Sequence, residues 1–335
     1  MSRKNLPILE HIEITGIAAE GNALARVDEQ VVFVPYCVPG DIVNLQVVKK
    51  KHSFMEARVL KYKKLSSSRC ASVCQHYGTC GGCKWQILPY SEQLRWKQQQ
   101  VEDNLRRIGK IELPEISPIL GSQKTYEYRN KLEFAFADHK WLTTEQMKSG
   151  IPFEPGLGFH IPNCFDKVLQ IDECHLMDGL QNDIRNGVYR YAVEQGMTFY
   201  NERAHTGQLR NLMIRNNNEG EWMVVVVFAE PLDDKAKGLL NYIRDSFKQV
   251  ICLMYCINQK LNDTIGDQDV LLYAGQDHIM EKMEDLQYPG LKTGREYILY
   301  ILGDEIDVKA TYDVKAIKES TVPKLRNGAP FYVNY

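Results

Sequence analysis

The sequence predicts a multi-domain chain, with an N-terminal all-β, OB-like barrel followed by an α+β domain that carries a cysteine loop. Three observations lead there. Short alternating strands separated by turn residues fill residues 6–64. The stretch "CQHYGTCGGCKW", Cys74 to Trp85, then places three cysteines on a glycine-rich loop. From Ile116 to Asp285, strand-like and helix-like segments mix as they do in α+β folds. At 335 residues the chain has room for two or three domains.

The elements follow in order. About five strands are expected before Lys64, with turns near Glu20-Gly21, Asp28-Glu29 and Pro39-Gly40 and a basic tip at Lys49–His52. Five short strands in so few residues suit a small closed barrel. "KLSSSR" is a polar linker into the cysteine loop. "PYSEQLRWKQQQVEDNLRRIGKI" is the clearest helix: Ser91 can cap it, Leu94, Val101, Leu105 and Ile108 share a face, and Gly109 can end it. "YRNKLEFAFA" alternates like a strand, and "HLMDGLQNDIRNGVYRYAVEQ" has helical spacing. "LRNLMIRNNNEGEWMVVVVFAE" reads as a hairpin turning at Asn217–Glu219, and "DKAKGLLNYIRDSF" as a helix. The expected divisions are 1–64 (barrel), 65–90 (cysteine loop), 91–110 (helix), 111–287 (α+β domain) and 288–335 (a divergent tail).

Composition excludes some functions. A net charge of −2 gives no global pull toward nucleic acid, so any such signal must be local. It is local: between Lys49 and Arg69, eight basic residues face one acid, Glu56. Lys49, Lys50, Lys51, Lys61, Lys63 and Lys64 are therefore candidate phosphate contacts. A strand edge guarded by lysine against aggregation is the competing reading. Alternation puts Arg129 and Lys131 of "YRNKLEF" on one sheet face, where strand cations are ordinarily plain surface residues. The N-terminus lacks the apolar stretch of a signal peptide and no window approaches a membrane span, so a cytoplasmic protein without membrane partners is expected. Nine cysteines in that setting point to metal rather than disulfides.

Cys80-Gly81-Gly82-Cys83 is a tight turn able to aim two thiolates at one ion. Cys70 and Cys74 could complete a local zinc knuckle. Alternatively, Cys74, Cys80 and Cys83 hold three irons of a 4Fe–4S cluster and a remote cysteine holds the fourth, with Cys174 in "QIDECHLM" the best placed. Spacing alone leaves both open.

From about Pro7 to about Asp285 the chain resembles the RNA (uracil-5-)-methyltransferases that carry an N-terminal TRAM domain. The resemblance rests on "CQHYGTCGGC" with Cys174 following 91 residues after Cys83, and on "YRNKLEFAF", "GLGFH", "IDECHLM", "GQLRNLMIR" and "NDTIGDQDVLLYAGQDHIMEKME". It implies that residues 1–64 are a TRAM RNA-binding barrel, that the central domain is an iron–sulfur domain, and that Arg129 and Lys131 are RNA contacts. It further implies that Cys74, Cys80, Cys83 and Cys174 ligate a 4Fe–4S cluster, with Cys70 a bystander. The implied activity is methylation of uridine C5 in ribosomal RNA, using S-adenosylmethionine. In such chemistry a cysteine thiolate adds to C6, C5 takes the methyl group, and a base removes the C5 proton.

The parts for that chemistry are expected after about residue 290, and none is found there. The chain has no G-x-G-x-x-G, no Phe-x-Gln-x-Asn, no Cys-Asn-Pro, and no cysteine after Cys256. "YILYILGDEID" reads as a strand ending at Gly303, Asp304 and Glu305. The expectation is thus a family member truncated before its C-terminal Rossmann-like methyltransferase domain, with no S-adenosylmethionine site and no activity alone. An RNA-binding iron–sulfur protein without catalysis and a zinc-knuckle RNA module are the alternatives. The helix at 91–108, left without the catalytic domain it packs on in the family, is expected to expose its apolar face and promote self-association.

Overall fold

The computed structural model describes residues 6–162, 164–283, 286–289, 300–302 and 305–307. The chain divides into two compact units, Met1–Thr125 and Tyr126–Tyr335.

The first unit opens with six strands: β1 (Ile8–Glu13), β2 (Gly16–Ile17), β3 (Ala23–Val27), β4 (Gln30–Val34), β5 (Ile42–Lys50) and β6 (Phe54–Lys64). They form one sheet in the order β1-β5-β6-β4-β3-β2, antiparallel except where β4 runs parallel to β6. Alternation explains the core. Val43, Leu45 and Val47 on β5, Met55 and Ala57 on β6, and Val32 and Val34 on β4 all point inward. The turn at Asp28-Glu29 is the expected one, and both residues have positive φ (46° and 64°), matching the right-handed twist of its strands. The extra strand relative to the expected five is β2, whose two residues are too few to show alternation.

Helix α1 (Tyr90–Asp103) begins one residue before Ser91, and Pro89 takes the capping position. The start is set elsewhere than expected. Gln93 donates its backbone N–H to the Pro89 carbonyl, while its side-chain amide reaches the carbonyls of Leu88 (2.8 Å) and Trp85 (3.1 Å). Past Asp103 the helix widens to a π-type turn, Asn104–Ile108, which Gly109 closes by donating to the Asn104 carbonyl. No residue of α1 is buried, and Val101 and Ile108 are 53% and 78% exposed.

The second unit is built on seven strands: β7 (Lys131–Ala137), β8 (Gly156–His160), β9 (Val168–Gln170), β10 (Leu209–Asn216), β11 (Trp222–Phe228), β12 (Val250–Ile257) and β13 (Val270–Gly275). Their order is β13-β12-β11-β10-β7-β8-β9, and β11–β12 is the parallel pair. The expected β10–β11 hairpin is present. Asn217 fixes its turn, its side-chain oxygen accepting from the N–H groups of Glu219 and Glu221. A short helix, α2 (Thr144–Lys148), precedes β8, and two longer ones complete the unit: α3 (Leu180–Glu194) and α4 (Asp234–Ser246). As the β11–β12 crossover, α4 buries Ala236, Leu239, Leu240 and Ile243 on one face. Gly158 in "GLGFH" is required by contact, because a Cβ there would lie 1.9 Å from the Leu169 carbonyl oxygen.

Two expectations shift here. Helix α3 begins at Leu180, not near His175, because the carbonyls of His175 and Leu176 accept from the N–H groups of Glu127 and Arg129. Arg129 therefore precedes β7, and the shared sheet face read for Arg129 and Lys131 is not formed. Beyond β13, β14 (Met280–Met283) pairs with β15 (Leu286–Pro289), and β16 (Tyr300–Leu302) with β17 (Glu305–Asp307). "YILYILGDEID" thus carries two short strands, while Gly303 and Asp304 lie outside the described residues.

Candidate nucleic-acid interface and cysteine loop

The candidate lysines fall into two groups. Lys49, Lys50 and Lys51 lie at the exposed tip joining β5 to β6, where Lys50 pairs across to Met55. Lys61, Lys63 and Lys64 lie exposed at the far end of β6, opposite Asn44 and Ile42. Strand rise puts the two groups roughly 20–30 Å apart, so they form two basic patches and not one edge. The tip is partly neutralised, since Lys49 pairs with Glu56 at 2.6 Å and lies over the Phe54 ring. Its backbone is pinned by Gln30, whose amide reaches the carbonyls of Lys51 and His52. In the second unit Lys131 pairs with Glu133 at 3.6 Å, and Arg129 is exposed.

The cysteine loop is anchored from below by charge. Asp41 is fully buried and accepts Arg69 Nε (2.8 Å) and Nη2 (2.6 Å), together with the N–H groups of Val38 and Ser66. Arg69 also donates to the Tyr36 carbonyl and lies over the Tyr62 ring. Burial, with Asp41 beside it, pushes the Cys37 thiol up to about 12, so it is an inert core group. Above this base, Cys70 N–H donates to the Ile87 carbonyl and Cys74 N–H to Gln86 Oε1, closing the loop at its neck. The Tyr77 hydroxyl donates to the Lys84 carbonyl at 2.6 Å, and its ring meets Tyr36 edge-on. Burial raises the Tyr36 and Tyr77 phenols, with the Cys80 and Cys83 thiols adding to the effect. Trp85 packs with Ile17, Val38, Ile87 and Leu88. Gly21 admits it: at φ +72°, a Cβ there would fall 2.6 Å from the indole nitrogen.

Cys74, Cys80 and Cys83 are each partly exposed on this loop, with Gly81 at φ +77° turning the backbone between the last two. The donor chemistry of these thiols suits iron or zinc. Among the described residues, however, no group of three or more His, Cys, Asp or Glu side chains is arranged to hold a metal ion.

Cys174, in the second unit, is buried and its backbone is held at both ends. Its N–H donates to Asn182 Oδ1 (2.8 Å), and its carbonyl accepts from Gln181 (2.8 Å) and Asn182 (3.3 Å). Arg185, fully buried on α3, organises that segment. It donates to the carbonyls of Ile171 and Asp172 and to Gln181 Oε1, over the Phe134 ring. Burial pushes its guanidinium down to about 10, which still leaves it charged at neutral pH.

Arg210, in "GQLRNLMIR", reads from sequence as a surface residue. It is buried, and clamps a loop by donating to the carbonyls of Asn258, Lys260 and Asn262 and to Asp263.

Comparison with known proteins adds the decisive observation: residues 10–60 match the TRAM domain. The chain contains a TRAM domain. Beyond it, the chain is 53% identical over 277 residues to an uncharacterized RNA methyltransferase of Bacteroides thetaiotaomicron, covering 81% of this chain and 61% of that protein. It is 49% identical over 286 residues to one of Porphyromonas gingivalis, with 83% and 61% covered. One of Chlorobaculum tepidum is 32% identical, with 75% and 53% covered. These likenesses support the RNA methyltransferase family. The TRAM-bearing chain spans at most 61% of the length of these relatives. Among solved structures, Pyrococcus abyssi tRNA (uracil-54, C5)-methyltransferase in complex with S-adenosyl-L-homocysteine matches with a TM-score of 0.58 at 20% identity. The match covers 84% of this chain and 60% of that one.

That fold likeness corrects the expected fold class, a TRAM barrel and α+β domain from which the methyltransferase domain is absent. Over 84% of its length the chain follows the fold of that structure, and this likeness overturns the expected fold class. The expectation of absence came from short motifs missing after about residue 290. A motif search reads side-chain identities over a few positions, whereas a fold is fixed by burial patterns that many sequences satisfy. Among the described residues no helix is long and apolar enough to cross a membrane.

Proposed function

We propose that this TRAM-bearing chain serves S-adenosylmethionine-dependent methylation of uridine C5 in RNA, in the cytoplasm. The observation that carries the reading is the TRAM match at residues 10–60, with exposed lysines at both ends of the β5–β6 hairpin. The chain's own residues grip phosphate: Lys49, Lys50 and Lys51 at the tip, Lys61, Lys63 and Lys64 at the far end, and Arg129 and Lys131 in the second unit. S-adenosylmethionine, when bound, supplies the methyl group. The sequence divisions at 64, 90, 110 and 287 belong to this proposal.

The same reading assigns a 4Fe–4S cluster to Cys74, Cys80, Cys83 and Cys174. Its support is the C-x5-C-x2-C spacing with the remote fourth cysteine, and the donor chemistry of the four thiols. Methyl transfer to uracil consumes no electron, so the cluster's work is structural. Ribosomal RNA is the substrate favoured by the cysteine resemblance. The exposed α1 face, with Val101 and Ile108, favours self-association, which light scattering would register.

Deleting the gene and measuring 5-methyluridine in separated ribosomal and transfer RNA by mass spectrometry tests the function. Loss of 5-methyluridine from the ribosomal fraction is expected, and loss from transfer RNA would move the substrate. Unchanged 5-methyluridine in both would contradict the proposal.

A further inference from the structure

A cavity of about 270 Å³ opens on the second unit, beside the end of β7 and the start of β9. Its walls include Asp138, Phe153, Asp166, Tyr200, Asn201 and Glu202, with Arg203 at the lip. Pockets that enclose drug-sized ligands run to about 300–1,000 Å³, so this one suits a single planar ring system.

Two features set it apart from an ordinary surface dent. Phe153, in its wall, is 67% exposed and stands edge-on to His139, with ring centres 5.1 Å apart. Phe165, 66% exposed, lies under the Arg203 guanidinium at 5.6 Å. Aromatic rings left this exposed next to a polar concavity are the usual platform for stacking an unpaired base.

The second feature is that the polar groups are already fixed. Asn201 donates to Asp138 Oδ2 at 2.7 Å, while its own side-chain oxygen accepts from the N–H groups of Arg203 and Ala204. Arg203 is tied to Asp166, and Tyr200 rests on the buried Arg210 at 4.3 Å. A loop held in this way loses little freedom when a ligand arrives. Its donors, His139, Lys167 and Arg203, are paired with Asp138 and Asp166, and its accepting groups are carboxylates, which at neutral pH take hydrogen bonds and donate none. An exocyclic amino group, as on adenine or cytosine, satisfies them. Uracil offers carbonyl oxygens on both sides of its one N–H, and these repel a carboxylate.

We propose that this cavity receives one unpaired, amino-bearing base of the bound RNA, stacked on Phe153 with its amino group toward the carboxylates of Asp138 and Glu202. The inference rests on the RNA-binding reading above.

Fluorescence anisotropy of the full chain with labelled single-stranded oligo(A), oligo(C) and oligo(U) of about ten nucleotides tests it. Oligo(A) and oligo(C) are expected to bind more tightly than oligo(U). Phe153→Ala, at an exposed position, should weaken oligo(C) binding by roughly 5- to 100-fold, while Phe153→Trp keeps it. Glu202→Gln should narrow the gap between oligo(C) and oligo(U). If the wild-type chain binds RNA but Phe153→Ala binds equally well, the cavity assignment fails and the RNA-binding reading survives. Equal binding of all three oligonucleotides by the wild-type chain removes the amino-base selectivity. A wild-type chain that binds none of them overturns both readings.

Discussion

Arg69 and Asp41 form a two-pronged ion pair, Nε and Nη2 meeting the two carboxylate oxygens at 2.8 and 2.6 Å, and it joins the strand sheet of the first unit to the neck of its cysteine loop. Asp41 is fully buried, so removing its partner leaves a carboxylate without its cation and held only by the Val38 and Ser66 amides. Arg69→Ala is therefore expected to cost about 3 kcal/mol in urea unfolding of the full chain. Arg69→Lys keeps the charge but not the fork, and should fall between.

The cysteine assignment makes opposed predictions for two single changes. Cys174→Ser should abolish iron and acid-labile sulfide in anaerobically purified protein, while Cys70→Ser leaves both in place. A local zinc knuckle gives the reverse, with metal lost on changing Cys70 and kept on changing Cys174.

Arg185 carries the Cys174 segment without a carboxylate in its bonding set, through carbonyls and amide oxygens alone. Arg185→Met fills similar space but strands the Ile171 carbonyl and Gln181 Oε1, each costing about 1–3 kcal/mol when buried and unsatisfied, while the Asp172 carbonyl keeps Asn186. A drop in stability of about 3 kcal/mol is expected by urea unfolding.

Helix α4 supplies a pH test. Asp233 caps it by accepting the Ala236 N–H at 2.8 Å, and that bond holds the Asp233 carboxyl below the usual carboxylate range. Its folded value is depressed, so the stabilisation is present above the unfolded value and lost as pH falls through the folded one. Asp233→Ala should cost about 1 kcal/mol near neutral pH. The difference from wild type should shrink in acid, and Asp233→Asn should keep its cap throughout.

Much of the architecture was legible because burial repeats locally. Val43, Leu45 and Val47 alternate on β5, and Leu239, Leu240 and Ile243 recur on α4, so a strand and a helix announce themselves. The start of α1 did not. Ser91 has the right chemistry for a cap, but Gln93 reaching back to Leu88 and Trp85 moves the cap two residues earlier, to Pro89. Arg210 was hidden for a similar reason. An arginine in a strand reads as surface, and only its meeting with carbonyls some fifty positions away buries it. The basic tract between Lys49 and Lys64 was visible, but not its division, because the β5–β6 hairpin carries its two halves to opposite ends. The cavity beside Phe153 left no linear trace, as its walls come from four separate stretches of chain.

The central claim, that this chain grips RNA, is tested most directly by titrating it into a fluorescently labelled single-stranded RNA at several salt concentrations. The account predicts binding that weakens with salt, and a log–log slope that becomes shallower by about 1.4 when Lys50 and Lys51 are both changed to alanine. No binding at about 50 mM salt, or binding indifferent to salt, would contradict it.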